Sequence, residues 1–68
     1  MRAVEVICAT TRLNVHSLPD HSSEILHDFP AGIMLERIGS EKNGYTPIRF
    51  NGGTGWVKSA YVEAVILT

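Results

Sequence analysis

Hydrophobic and polar positions alternate in short runs along this chain. Residues 3–9 place Val4, Val6 and Cys8 on one side of the chain, and residues 12–16 repeat the pattern with a new pair of apolar side chains. Successive side chains of a β-strand point to opposite faces, so a period of two predicts a strand. The first quarter of the sequence therefore predicts two strands.

Turn-forming residues separate these strands from the next. Residues 17–23 contain serine, proline and aspartate and predict a long surface loop. Residues 33–38 are rich in β-forming side chains and predict a central strand. Alternation in that strand is imperfect, because Ile33 and Leu35 share a side with Arg37. We therefore expect a β-bulge there, or a strand that switches sheets.

The strongest local signal is a hairpin in the second half of the chain. Residues 45–50 alternate, Asn51 and Gly52 follow them, and residues 54–57 form the return strand. Asparagine and glycine readily adopt the positive φ angles that a two-residue hairpin turn needs. A final strand is predicted over residues 61–67, and the frequent glycines and prolines leave little room for helix. Six or so short strands predict a small all-β barrel or sandwich.

Size and charge narrow the class of protein. A chain of 68 residues supports one core, so we expect a single domain over residues 1–68. Six basic and seven acidic residues give a net charge of −1, which argues against nucleic-acid binding. The single cysteine, Cys8, excludes an internal disulfide, and the apolar start is too short and polar for a membrane span. We expect a cytoplasmic protein if this chain is complete, and an envelope or secreted one if it is excised from a longer protein.

Several short motifs follow one another in a fixed order. They are a Leu-Asn-Val opening followed by a proline, a glycine before the middle strand, a Gly-bearing turn, and a Gly-Trp-Val strand followed by Tyr-Val. They occupy residues 13–20, Gly32, residues 44–57 and residues 61–62. In order and spacing they resemble the bacterial Src-homology-3 (SH3) domain family over about residues 11–62. The resemblance implies an SH3-like barrel of five to six short strands and a non-enzymatic binding module.

The alternation agrees with such a barrel and predicts its core. Gly55 would let two strands approach closely, and closure of the sheet would remove exposed edges. Proline at position 47 removes an amide donor, which predicts an edge strand or a bulge. The expected core side chains are Leu13, Val15, Ile25, Leu35, Ile48, Val57 and Val62.

Departures from the family pattern fall where family members contact ligands. His16 stands where arginine is usual, Leu18 where a small residue is common, and Tyr45 where tryptophan is usual. In the related eukaryotic domains a groove tyrosine corresponds to Tyr61, and Lys58 replaces a groove proline. The resemblance therefore argues against a proline-rich ligand and leaves the ligand open.

Exposed aromatic side chains are the best candidates for ligand contact, because rings supply much contact area at low entropic cost. We expect Tyr45 to be accessible, since it lies on the pleat opposite Ile48. The alternative for each ring is a structural role, with Trp56 capping the barrel. The predicted ligand-binding residues are Tyr45, Tyr61, Trp56, His16, Asp20 and Lys58.

The partner is expected to be a protein or peptide, with a peptidoglycan peptide as the alternative if the chain targets an envelope enzyme to the cell wall. Self-association through residues 64–67 is a further alternative, because an apolar strand can pair with another chain. Metal binding is a minor alternative, since His16, His21 and His27 match no strong metal motif. No cofactor and no catalytic residue is predicted.

Overall fold

A computed structural model describes residues 5–65 of the chain. Its strands are β1 (Glu5–Ala9), β2 (Leu13–His16), β3 (Ile25–Phe29), β4 (Met34–Arg37), β5 (Tyr45–Phe50), β6 (Gly53–Lys58) and β7 (Val62–Val65). A single 3-10 turn, Ser59–Tyr61, joins β6 to β7. The prediction of a small all-β, SH3-like fold is confirmed, with one strand more than the sequence suggested.

All seven strands belong to one antiparallel sheet in the order β3-β2-β6-β5-β4-β1-β7. The ladder does not close on itself, because β3 pairs with β2 and β7 pairs with β1, and these two strands end the sheet in the described part of the chain. The expectation that closure removes every edge is therefore wrong. The buried hydrophobic residues of the described chain nevertheless form one core cluster.

The β5–β6 hairpin forms at the predicted place. Phe50 pairs with Gly53 across a two-residue turn, in which Asn51 has φ 47° and Gly52 has φ 77°. Positive φ at both central positions defines the turn type whose twist matches the flanking strands. Asn51 and Gly52 therefore fix the register of the longest hairpin in the sheet.

Gly55 permits the close approach of strands that the sequence predicted. A Cβ atom at this position would clash with the side chain of Val15 and lie 3.0 Å from the ring of Phe50. Only glycine leaves space for β2 and the Phe50 ring to pack against this part of β6.

The core lies on one face of the sheet and contains most of the predicted side chains. Val62 is partly buried and packs against this cluster. Ile7 and Ala9 from β1 complete it, although the sequence did not place them there. The predicted residues that are buried are Leu13, Val15, Leu35, Ile48 and Val57.

Ile25 is the predicted core residue that lies outside the core, with 53% of its surface exposed. The reason is a bulge between β2 and β3, where Val15 pairs with His27 but His16 pairs with Ile25. Leu26 is the extra residue in this bulge. A shift of one residue turns a side chain to the opposite face, so Ile25 points away from Val15.

Pro47 lies in a central strand and is buried, so its predicted edge position is wrong. Its carbonyl accepts a hydrogen bond from the Ile38 amide at 3.1 Å. In an antiparallel strand the N–H and C=O of one residue point to the same side. The missing amide of Pro47 thus faces the position just beyond Arg37, where β4 has already ended.

Two further expectations differ from the structure. β4 pairs with β1 in unbroken register over Met34–Arg37, so no bulge lies within β4 itself, although Gly32 and Ile33 both hydrogen-bond to Ala9 just before the strand begins. The last strand begins at Val62 rather than at Tyr61, which belongs to the 3-10 turn. Residues 3–4 and 66–67, also assigned to strands from the sequence, lie outside the described residues.

Candidate functional site

The face of β2, β5 and β6 opposite the core carries most of the predicted ligand-binding residues. His16 on β2 and Pro47 on β5 both pair with Trp56 on β6. Tyr45 pairs with Lys58 in the same β5–β6 ladder. Residues directly opposite in an antiparallel pair present their side chains on one face. We call this surface, formed by His16, Tyr45, Pro47, Trp56 and Lys58, the aromatic face.

Tyr45 is buried within this face, with only 6% of its surface exposed, so its predicted accessibility is wrong. The pleat was assigned correctly, because Tyr45 and Ile48 do point to opposite faces. The His16 ring covers Tyr45 edge-on, with ring centroids 5.5 Å apart and planes at 76°. Tyr45 therefore supports the face from within.

His16 connects the aromatic face to the loop of residues 17–24. Its Nδ1 lies 3.4 Å from both the carbonyl oxygen and the hydroxyl oxygen of Ser23. The Ser23 hydroxyl donates to the carbonyl of Asp20 at 2.6 Å and accepts from the Leu18 amide at 3.4 Å, which leaves one lone pair towards His16. A carbonyl oxygen can only accept, so the contact with the Ser23 carbonyl is a hydrogen bond in the tautomer of His16 that carries its hydrogen on Nδ1. His16 is 8% exposed and packs as part of the site's floor.

The same loop places Asp20 at the rim of the site. The Ser17 amide donates to the backbone carbonyl of Glu24 at 2.9 Å, and the side-chain amide of Asn43 donates to the backbone carbonyl of Pro19 at 2.9 Å. These bonds hold the loop beside the start of β5. Asp20 is exposed, and the backbone amide and the hydroxyl of Ser22 both donate to its carboxylate, which lowers the pKa of Asp20 below its ordinary value of 3.8.

Lys58 and Tyr61 form a second rim. The Lys58 ammonium lies over the Tyr61 ring, 5.4 Å from its centroid, within the range of a cation–π interaction. Tyr61 is 41% exposed, and Trp56 is half-buried between this pair and His16. The Ser59 amide donates to the Gly44 carbonyl at 2.9 Å, which ties the 3-10 turn to the start of β5. The site thus has a basic rim and an acidic rim.

Sequence reasoning missed two residues of this surface. Ile25 pairs with His16 and extends the aromatic face by one strand, and Pro47 lies on the other side of Trp56. Ile25 was assigned to the core because simple alternation does not reveal the bulge at Leu26. Pro47 was considered from the sequence only for its missing amide donor, whereas its buried ring forms part of the floor of the aromatic face.

The three histidines lie in different surroundings. His21 is exposed in the loop, 3.7 Å from the Asp20 carboxylate. His27 faces the core side of β3. Its ring centroid lies 4.5 Å from that of Phe29, edge to face, and 6.1 Å from that of Phe50, in a stacked arrangement. Within residues 5–65, no three His, Cys, Asp or Glu side chains are placed to hold a metal ion together.

The chain matches one known protein family over most of its length. The model of the bacterial SH3 domain family matches residues 11–63. The chain belongs to the bacterial SH3 domain family. The match begins just before β2 and ends within β7, so it includes every residue of the aromatic face. No curated protein and no solved structure matches the chain.

Membership in the bacterial SH3 family makes this chain one of a family of binding domains rather than catalytic domains. The family assignment was predicted from the motif order, with nearly the same bounds. In the part of the chain that the structure describes, no helix is long and apolar enough to cross a membrane.

Proposed function

We propose that this SH3 domain binds a peptide segment on the aromatic face, between the Asp20 loop and the Lys58–Tyr61 rim. The observation that carries the proposal is a continuous row of side chains, in which exposed Ile25 and half-buried Trp56 lie beside the buried residues His16 and Pro47. Ile25, His16, Trp56 and Pro47 lie side by side on four neighbouring strands. Strands lie about 4.8 Å apart, so three steps span roughly 14 Å, the length of about four extended residues.

The composition of the surface suits peptide recognition. Half-exposed aromatic and apolar side chains give contact area, while charged groups at the rim give orientation. Trp56 and Tyr61 are the accessible rings, and His16 and Tyr45 hold the floor rigid beneath them. A preformed floor lowers the entropic cost of binding.

The two rims favour a ligand that carries both a negative and a positive group. Lys58 is exposed at one rim, and Asp20 is held ionised at the other by its bonds to Ser22. A peptide that presents a carboxylate near Lys58 and a cationic or donor group near Asp20 satisfies both. Peptidoglycan stem peptides carry free carboxylate and amine groups, so the cell-wall alternative uses the same surface.

The test selects peptides that bind this protein from a display library. The affinity of each selected peptide for the protein is then measured, together with the affinity of a soluble peptidoglycan stem peptide. Tyr61→Ala should weaken binding by about tenfold or more, as expected for an interface tyrosine. Lys58→Ala should weaken the binding of acidic peptides more than the binding of neutral peptides. Met34→Ala is the matched control, because Met34 is exposed on β4, away from the aromatic face.

Peptides that bind the wild-type protein and the Tyr61→Ala variant equally would show that the aromatic face is not the site. Absence of any binder in either ligand class would contradict a peptide-binding function. Preference for the stem peptide over all library peptides would assign the chain to the cell-wall alternative.

A further inference from the structure

The sheet ends in two strands, β3 and β7, whose outer edges pair with no other strand in the described part of the chain. Backbone N–H and C=O groups that point outward from an edge strand can pair with a strand of another chain. The two edges differ in the spacing of these groups along the strand and in the charged side chains beside them. This difference determines which edge another strand can extend.

The edge of β7 presents its outward groups at the spacing of a regular strand. The Thr10 amide donates to the Tyr61 carbonyl at 2.8 Å, and the β1–β7 register continues from this pair without a shift. Hydrogen-bonded and non-hydrogen-bonded pairs alternate along an antiparallel ladder, so the backbone groups of Val62 and Ala64 point away from β1, two residues apart. The Val62 amide donates to the Ser59 carbonyl, whereas no strand lies beside the outward groups of Ala64 among residues 5–65.

The edge of β3 is irregular. The Ser17 amide donates to the Glu24 carbonyl at 2.9 Å, so the backbone groups of the next residue on β3, Ile25, point outward. Past the β2–β3 bulge the next outward residue is Asp28, three positions further on instead of two. The Arg12 guanidinium donates to the Asp28 carboxylate at this edge. Bulges and charged side chains block strand addition, so β3 is the protected edge.

We propose that the outer edge of β7 pairs antiparallel with β7 of a second copy of this chain, with Ala64 opposite the Ala64 of that copy. In this register the two alanines exchange two backbone hydrogen bonds, and Glu63 lies opposite Val65 of the second copy. A register centred on Glu63 would place two glutamates directly opposite each other, which is unfavourable. It would also need the Val62 amide, which already donates to Ser59.

The side chains of β7 favour a second copy as the occupant of this edge. Ala64 lies opposite Ile7, which is buried in the core, so Ala64 points to the core side of the sheet. It is nevertheless exposed, because no strand follows β7 in the sheet of the described residues. Pairing brings the two alanines together and continues the apolar side of the sheet across a two-fold axis. Because β3 is protected at both far ends, the assembly closes as a dimer and does not extend into a filament.

The interface is small, so self-association should be weak. β7 has four residues, and the pairing of two such strands buries less than the roughly 1,200 Å² of a standard interface. We expect a dissociation constant between about 10 μM and 1 mM, measured by sedimentation equilibrium at up to about 2 mM protein. The Ala64 amide should exchange with solvent more slowly at the highest concentration than at the lowest, because it is hydrogen-bonded only in the dimer.

Charged variants at the two-fold axis test the register. Ala64→Lys and Ala64→Glu each place like charges opposite each other, and each should weaken self-association by about tenfold or more. An equimolar mixture of the two variants should associate again, because each pair then carries opposite charges. Leu26→Lys is the matched control, since it adds the same charge to an exposed residue of β3, and it should associate like the wild-type protein. Amide spectra of each variant verify the fold.

A wild-type protein that stays monomeric at every concentration would overturn the proposal. Self-association that Ala64→Lys leaves unchanged, or that Leu26→Lys abolishes, would place the interface elsewhere and overturn it as well. If the wild-type protein forms dimers but the mixture of Ala64→Lys and Ala64→Glu stays monomeric, Ala64 does not lie opposite Ala64 of the second copy, and the proposed pairing is wrong.

Discussion

Replacing Ile48 by alanine tests the core that supports both faces of the sheet. Ile48 is fully buried in β5, paired with Gly55 on β6 and with Arg37 on β4. Truncation of buried isoleucine costs about 2 to 5 kcal/mol, depending on how well the site can collapse. Gly55 has no side chain that could fill the cavity, so we expect the upper half of that range, about 3 to 5 kcal/mol.

Such a loss approaches the whole stability of a small domain, about 5 kcal/mol at the low end of the usual range. Ile48→Val is therefore measured beside it and should cost about 1 kcal/mol. With a urea m-value of about 1 kcal/mol per molar, its unfolding midpoint should fall by about 1 M. Trp56 fluorescence reports the transition, since Trp56 is half-buried.

Ile25→Val is the matched control, because it removes the same methyl group from an exposed side chain. Its urea midpoint should stay within about half a molar of the wild-type value, since surface substitutions usually change stability by less than about 0.5 kcal/mol. If Ile25→Val cost as much as Ile48→Val, the bulge and the assignment of the two faces would be refuted.

Two other predictions follow from the packing and from one ion pair. Gly55→Ala should lose about 1 to 3 kcal/mol in urea unfolding through its clash with Val15, whereas Gly53→Ala, where a Cβ would meet nothing nearer than 3.8 Å, should lose little. The Arg12 guanidinium, which hydrogen-bonds and attracts the Asp28 carboxylate, holds the pKa of Asp28 below its ordinary 3.8. The stabilisation from this exposed pair is therefore complete above pH 3.8 and is lost as pH falls through the folded-state pKa. Arg12→Gln should lower the urea midpoint slightly at neutral pH, and this difference should vanish in strong acid; an equal difference at both pH values would contradict the assignment.

Most of the fold could be predicted from local chemistry. Asn51 and Gly52 adopt the turn that their backbone preferences favour, and Gly55 lies where two strands crowd together. Alternation assigned five of seven core residues to buried positions, because burial on one face imposes a period of two. The turn and the alternation depend on neighbours in sequence, which a single sequence shows directly.

The site was harder to predict because it depends on tertiary contacts. The bulge at Leu26 moves Ile25 to the side of the sheet that carries the aromatic face, and no residue type marks its position. The pleat of Tyr45 could be read from the sequence, but the His16 ring that covers it lies 29 residues earlier in the chain, on another strand. Pro47 is tolerated in a central strand only because β4 ends beside it.

The most direct test of the binding-site proposal is a map of backbone amide shifts in the nitrogen-15 labelled protein, titrated with the tightest selected peptide. The largest shifts should fall on Trp56, Lys58 and Tyr61, with smaller shifts at Ile25 and in the loop of residues 17–24. The turn at Asn51 and Gly52 and the strand β7 should change little. If the largest shifts fall on that turn or on β7, while the aromatic face is unchanged, the aromatic face is not where this SH3 domain binds.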